Sequence, residues 1–324
     1  MLFDTFSARS LHLANRMVMA PLTRSRATPQ HTPNALMATY YGQRATAGLI
    51  ITEGTSPSPN GLGYPRIPGL YDTAQVEAWK ATTTAVHAQG GKIFVQFMHC
   101  GRVAHVANLP TGAEVLGPGS EVCPGEMFTD TQGLQPHSPP RAMTADDIAH
   151  VIDEHVAAAK LAMDAGFDGV ELHGANGYLI EQFLNPLVNQ RTDGYGGSME
   201  RRNRLALEIA RATVAAIGRD RVGIRLSPYG IFNGTAAFPV WRPNTSRWLI
   251  RFLPWVCCTC TLSITPPWER RRYPPTSSSS CAPPSTGYSS CPAALTRPAP
   301  NKPCLRSVVT SLPLGGPFWL TPTW

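Results

Sequence analysis

The stretch Thr144-Ala-Asp-Asp-Ile-Ala-His-Val-Ile-Asp-Glu-His-Val-Ala-Ala-Ala-Lys-Leu-Ala-Met-Asp-Ala-Gly166-Phe-Asp-Gly169-Val-Glu-Leu-His173 holds one complete helix-to-strand step. Thr144 and Asp147 form a capping-box pattern, in which each side chain bonds the other residue's backbone N–H. Ile148, Val151, Ile152, Val156, Ala159 and Met163 keep to one helical face. Gly166 ends the helix, where a residue tolerant of positive φ fits. Gly169 to His173 is then a short continuous apolar run, the pattern of a strand buried on both faces.

The same alternation extends in both directions. Met17–Ala20, Leu49–Thr52 and Ile93–Met98 lie upstream, Val222–Leu226 lies downstream, and a second helix from Arg201 to Ile217 follows Ser198. Strand and helix alternate five times without a paired hairpin pattern, which predicts an α/β fold of the (β/α)8 barrel type, a fold of typically ~250 residues. Strands 1–5 of such a barrel fall within residues 1–238. A doubly wound sheet fits less well, because no glycine-rich phosphate loop follows the first strand.

Barrel sites sit at the C-terminal ends of the strands. Here those ends carry Pro21-Leu22-Thr23, Glu53-Gly54, Gln96 with His99, His173 with Asn176, and Arg225. A polar cap accounts for any one of them, but five in succession predict a site. The block His173-Gly-Ala-Asn176-Gly-Tyr178 offers two neutral donors three residues apart and a phenol two residues further on. A site that grips a carbonyl oxygen and protonates the neighbouring carbon needs that set.

The pattern stops near Pro239. Residues 239–324 hold nine basic residues and one acid, six of the eight cysteines, six of the seven tryptophans and 16 of the 31 prolines. They carry +8, and residues 1–238 carry −1, so the overall +7 gives no basic nucleic-acid face to the front part. Runs such as Tyr273-Pro-Pro-Thr-Ser-Ser-Ser-Ser-Cys281 have neither helix nor strand period, and composition predicts a low-complexity, disordered basic tail. A change of reading frame near Phe238 accounts for the break. Val240–Leu249 can be encoded so that the neighbouring frame reads GVEAQYLALA, and Val256–Arg271 so that it reads GLLYMHFVDHSPMGAA. The first is a helix opening, the second an apolar strand with a polar loop. Genomic DNA with no open neighbouring frame across these codons would exclude this account.

Residues 1–238 resemble the old yellow enzyme family of FMN-dependent ene-reductases, which includes oxophytodienoate and N-ethylmaleimide reductases. The resemblance runs through Ala20-Pro-Leu-Thr-Arg24, Ile51-Thr-Glu-Gly54, Gln96-Phe-Met-His99, His173–Tyr178, Asn189-Gln-Arg-Thr-Asp-Gly-Tyr-Gly-Gly-Ser198 and Arg225-Leu-Ser-Pro228. It implies a TIM barrel and hydride transfer from NADPH, or NADH, through FMN to the C=C bond of activated alkenes.

It also implies roles. Ala20, Pro21, Leu22, Thr23, Gly54, Gln96 and Arg225 would contact FMN, with the Thr23 hydroxyl at the O4/N5 edge. The Gln96 amide, able to donate and accept, would face the pyrimidine edge, and Arg225 would set a permanent positive charge beside N1 and O2. His173 and Asn176 would hold the substrate carbonyl, and Tyr178 would supply the proton.

Two departures stand out. Met98 occupies a position where many relatives have tryptophan. In the family, strands six to eight close the barrel, and the loops after the last two bind the FMN phosphate through backbone amides and an arginine. No such pattern exists after residue 238, and Gly315-Gly316-Pro317 lies in the wrong context. Charged hydrogen bonds contribute ~1.5–3 kcal/mol each, so losing two or three weakens FMN binding by on the order of a thousandfold. The alternative reading is therefore an inactive remnant that cannot hold FMN, with a Pro-rich interaction tail.

The N-terminus lacks a signal-peptide pattern, and no apolar run reaches the ~20 residues of a membrane helix. Only Cys100 and Cys123 fall in the front part, which suits a reducing cytoplasm. Cys257-Cys-Thr-Cys260 has no second ligand pair at metal-binding spacing, so no metal is expected.

Overall fold

The computed structural model describes residues 1–8, 10–227, 230–235, 260–263 and 319–321. At its centre, β1 (Val18–Met19), β2 (Leu49–Thr55), β3 (Ile93–Phe97), β4 (Gly169–Gly174) and β5 (Val222–Leu226) lie side by side, all parallel. Every residue of β2 to β5 is buried. That burial on both faces is why they read as continuous apolar runs rather than alternating ones.

Two short strands from beyond residue 238, β6 (Cys260–Ser263) and β7 (Trp319–Thr321), extend the sheet in parallel, with Ile224 opposite Cys260 and Thr261 opposite Trp319. The order is β7-β6-β5-β4-β3-β2-β1, and among the described residues no pairing joins β7 to β1. Among the described residues the barrel is therefore open. These seven residues fall in the segment expected to be disordered, yet their backbone pairs along the edge of β5. The rest of residues 239–324, including Cys257, Cys258 and Gly315-Gly316-Pro317, lies outside the described residues, as does the expectation of disorder for it.

Among the described residues, six helices connect and cover the strands: α1 (Ala35–Gly42), α2 (Thr73–His87), α3 (Ala145–Asp164), α4 (Leu179–Leu184), α5 (Met199–Arg202) and α6 (Arg204–Ile217). Asn34 caps α1 by accepting from Met37 N, and Asp72 caps α2 by accepting from Gln75 N. The capping box expected at Thr144 and Asp147 is present. Each such cap is worth ~0.5–2 kcal/mol. The helix expected over Arg201–Ile217 is split at Asn203 into α5 and α6. The split coincides with the inward turn of Arg202, which is buried and donates to the carbonyls of Leu184 and Gly197.

The expectation of no paired hairpins needs correction. Phe6–Ala8 pairs antiparallel with Leu11–Leu13, and Glu126–Thr129 with Gly133–Pro136. Both are too short for strand alternation to show in sequence. The second turns on Gly133, at φ +69°, a conformation glycine adopts without a Cβ penalty.

The main core fills the space between the sheet and its helices, around Trp79, Phe167, Ile50, Val95, Val151 and Leu205. Each large apolar side chain buried there stabilises the fold by ~1.5–3 kcal/mol. The Trp79 indole N–H is satisfied by Gly69 O at 3.1 Å. A smaller cluster, Leu11, Leu13, Leu49, Ile51 and Phe94, sits where β2 and β3 begin. A third, including Leu62, Met98, Cys100, Met127 and Tyr178, sits where the strands end and forms the floor of the polar rim. No helix among the described residues is long and apolar enough to cross a membrane.

Candidate active site

Register places the polar strand ends in two rows. Gly54 pairs with Gln96, and Gln96 with Glu171, giving the first row. Two residues further along, His173 pairs with Arg225, and the two side chains lie on the same face of the sheet as Glu171. A bulge between Ile51 and Gly54 re-aims the end of β2. A Cβ at Gly54 would come within 2.6 Å of the Met98 Sδ and Cε, so a larger residue there would displace the end of the Met98 side chain. The residue that departs from the family's tryptophan is thus the one packed against this glycine.

Gln96 is buried, and its amide donates to Glu171 Oε1 at 2.8 Å, which fixes which end of the amide faces β4. Its carbonyl oxygen takes no hydrogen bond among the described residues, so it remains available as an acceptor. Arg225 is 5 % exposed, and its charge adds to the burial that lowers the pKa of His173. Ala20 and Pro21 are half-buried, Leu22 and Thr23 are exposed, and Thr23 makes no hydrogen bond among the described residues. The segment is tied to β2 one residue later, where Arg24 N donates to Glu53 Oε2 at 3.3 Å. Burial raises Glu53 to about 7, although the Tyr41 hydroxyl donates to it at 3.1 Å.

The residues expected on the substrate side come together closely. His173 and Tyr178 meet edge to face, with ring centroids 4.9 Å apart. His173 is 4 % exposed, and burial, with Arg225 adding to it, holds its pKa well below the ordinary imidazole range. The ring is therefore neutral and donates through one nitrogen only. Tyr178 is 8 % exposed, and burial pushes its phenol well above the usual range, so it keeps its proton at neutral pH. Asn176 adopts φ +58°, the left-handed region that an asparagine tolerates better than most residues.

Two buried side-chain atoms at this point, His173 Nδ1 and Asn176 Oδ1, have no hydrogen-bond partner among the described residues. Such atoms cost stability unless something pairs them. The Asn176 amide can present its NH2 instead by a half rotation, so a ligand oxygen would select the donor end. The donor set thus fits a carbonyl held beside a phenol. Gln96 in the first row and Arg225 in the second, both buried, suit a planar group with polar edges and a delocalised negative charge.

Sequence reasoning missed four residues here. Tyr64 lies 3.0 Å from Tyr178, hydroxyl to hydroxyl, and burial raises its phenol to about 12. Glu181, Ser227 and Asn233 bond the backbone around Asn176. Ser227 stood inside the Arg225–Pro228 motif and could have been found from it. Tyr64 gave no signal beyond the glycines before it.

Comparison with known proteins places these observations in a family. The profile of the NADH:flavin oxidoreductase / NADH oxidase family matches residues 1–238. Flavin oxidoreductase hxnT of Emericella nidulans is 44 % identical over 243 residues, covering 72 % of this chain and 61 % of its own length. The 12-oxophytodienoate reductase 1 of Oryza sativa subsp. japonica is 45 % identical over 230 residues, covering 70 % of this chain and 59 % of its own. Among solved structures, the old yellow enzyme homologue from Zymomonas mobilis superposes with a TM-score of 0.78 at 40 % identity, over 81 % of this chain and 73 % of that one. The chain therefore spans about three fifths of the length of the curated relatives it matches.

Proposed function

Because this chain belongs to the NADH:flavin oxidoreductase / NADH oxidase family, we propose that it is an FMN-dependent oxidoreductase, passing hydride from NADPH or NADH to the C=C bond of α,β-unsaturated carbonyl compounds. The observation that carries this reading is the pair of buried, unpartnered atoms, His173 Nδ1 and Asn176 Oδ1, beside the protonated phenol of Tyr178. A relative named 12-oxophytodienoate reductase supports activated alkenes as the substrate class.

FMN, when bound, supplies the redox chemistry. The residues that would hold it are Ala20 to Thr23, Gly54, Gln96 and Arg225. The Gln96 carbonyl oxygen would accept from a ring N–H, and the Arg225 guanidinium would balance negative charge on the ring. On the substrate side, neutral His173 and the Asn176 amide donate to the carbonyl oxygen. Negative charge grows on that oxygen as the β-carbon is attacked, and donors already in place stabilise it without reorganisation. Tyr178 then gives its proton to the α-carbon; a phenol is acidic enough to protonate an enolate and too weak to lose its proton beforehand.

In this reading residues 1–238 are the flavin-binding portion, and 239–324 a separate tail. The coincidence of the family match with the composition break at Pro239 supports that division. The unpaired, buried thiols of Cys100 and Cys123 support a reducing compartment such as the cytoplasm. An FMN titration of the full chain, followed by flavin fluorescence and the visible spectrum, tests the proposal. Micromolar binding with a perturbed flavin band is expected, followed by enone-dependent oxidation of NADPH. A chain that binds no FMN overturns it and leaves the inactive remnant.

A further inference from the structure

Asn176 and Gly177 are consecutive left-handed residues, at φ +58° and +77°. An L-residue in that region costs roughly 1–2 kcal/mol, and such conformations persist only where the surroundings over-determine them. All four backbone polar groups of the pair are taken, each by a side chain. Asn176 N–H donates to Ser227 Oγ at 2.9 Å, and Asn176 O accepts from Asn233 Nδ2 at 2.8 Å. Gly177 N–H donates to Glu181 Oε2 at 2.6 Å, and Gly177 O accepts from Gln182 Nε2 at 2.8 Å.

The partners are themselves held. The Ser227 hydroxyl lies 2.8 Å from both Glu181 carboxylate oxygens and donates to one of them, which turns its lone pairs towards Asn176 N–H. Gln182 also donates to Cys100 O at 3.0 Å and accepts from Arg102 N at 3.2 Å. Asn233 packs so close that a Cβ on Gly177 would come within 2.7 Å of its own Cβ. Glu181 and Gln182 are the third and fourth residues of α4, and Ser227 and Asn233 follow β5. Two elements thus converge on one turn, whose only uncommitted side-chain oxygen is Asn176 Oδ1.

We propose that Glu181, Gln182, Ser227 and Asn233 are positioning residues that clamp the Asn176-Gly177 turn and so aim the Asn176 amide at the substrate carbonyl. This rests on the site reading above for its purpose, but the clamp itself is a property of the chain without FMN. None of the four touches the substrate in this scheme. They act through Asn176, by removing the freedom it would otherwise lose on binding. Glu181 is buried and raised to about 7 by that burial, the kind of group a fold retains only with a use for its bonds.

Hydrogen exchange of the full-length chain without FMN tests the clamp, comparing the amides of residues 176 and 177 with those of β4 and β5. Ser227→Ala and Asn233→Ala are expected to speed exchange at 176 and 177 about tenfold or more, leaving the strands unchanged. Glu181→Leu is expected to do the same at 177. Glu181→Gln, which can still accept from Gly177, restores most of the protection. Unchanged exchange at 176 and 177 in Ser227→Ala and Asn233→Ala overturns the proposal, and so does an equal rise throughout β4 and β5. Should Glu181→Leu fail to fold, the other two variants decide. In chain loaded with FMN, Ser227→Ala should raise the KM for cyclohex-2-enone about tenfold while NADPH reduces the flavin at the parent rate. A normal KM with a loosened turn also overturns it. Failure of FMN to bind sinks the functional reading and leaves the exchange result standing.

Discussion

On the β4 and β5 side of the rim, every backbone polar group of Asn176 and Gly177 is held by a side chain, whereas on the β1 side Leu22 and Thr23 are exposed and Thr23 makes no hydrogen bond among the described residues. Both regions are irregular chain following a parallel strand. What separates them is the number of neighbours fixing the turn. The turn after β4 is held by the chain's own side chains, so the donors proposed there would lose little freedom on binding. The segment after β1 is tied to β2 through Arg24 N and Glu53, with fewer partners fixing it. Substitutions on the first side should therefore damage chemistry, and those on the second should mainly weaken cofactor affinity.

The strongest way to break that contrast is at Tyr178. Tyr178→Phe should slow enone reduction by ~10²–10⁴, the usual worth of a positioned proton donor, with the NADPH half-reaction unchanged in stopped-flow. If both steps slow together, Tyr178 does not act as the proton donor. Gly177→Ala comes next. The left-handed φ costs ~1–2 kcal/mol and the encroachment on Asn233 and Phe232 ~1–3 kcal/mol more. Denaturant unfolding should show that loss, and enone binding should weaken even under conditions where the variant is folded.

A pH series sharpens the comparison from a different direction. Burial raises Glu53 and Glu181 to about 7, above the ordinary 4.5, so the folded chain binds more protons than the unfolded chain between those values. Their contribution is fully present below pH 4.5 and is lost as pH rises through 7. His99 and His155, held by burial at about 3 and about 4 against an ordinary 6.5, act oppositely. Their contribution is present above 6.5 and is lost as pH falls. Glu181→Gln should therefore flatten the loss of stability between pH 4.5 and 7 by up to roughly 3 kcal/mol, read from denaturation midpoints. An unchanged slope would show that Glu181 does not titrate there.

Smaller effects follow at Tyr64 and Thr23. Tyr64→Phe removes the hydroxyl 3.0 Å from Tyr178 and should cost ~0.5–1.5 kcal/mol in the protonation step, at most about tenfold in rate. Thr23→Ala, at an exposed position, should change the FMN Kd only a few-fold and leave the KM for enone alone. If Thr23→Ala disturbed enone binding as much as Ser227→Ala, the two sides would be one coupled unit and the contrast would fail.

Much of the fold was legible because the signals are local. The capping box at Thr144 and Asp147, the stop at Gly166 and the apolar runs ending at Met98, His173 and Leu226 all depend on residues a few positions apart, and the elements begin and end within a residue or two of those marks. The hairpin at Glu126–Pro136 was missed because strands of four residues carry too little alternation to register. The split at Asn203 was missed because helix periodicity runs straight through it, and only the inward pull on Arg202 marks the break. In the site, His173, Asn176 and Tyr178 were legible as a spaced block. Their supports were not, since nothing in the spacing of Tyr64 or Asn233 refers to them.

The sequence by itself determined the strand order, the polar groups at the strand ends, the spaced block of His173, Asn176 and Tyr178 and the composition break at Pro239. Each is written in periodicity, capping or charge within a short window. Only the tertiary structure decided that Gln96 spends one amide proton on Glu171, that Tyr64 meets Tyr178 across 114 residues, and that α4 and the chain after β5 converge on one left-handed turn. All but the local α4 bonds to Gly177 are hydrogen bonds between groups far apart in the chain. Their geometry is set by the parallel register of the sheet and by the need to pair polar atoms once burial has removed them from water.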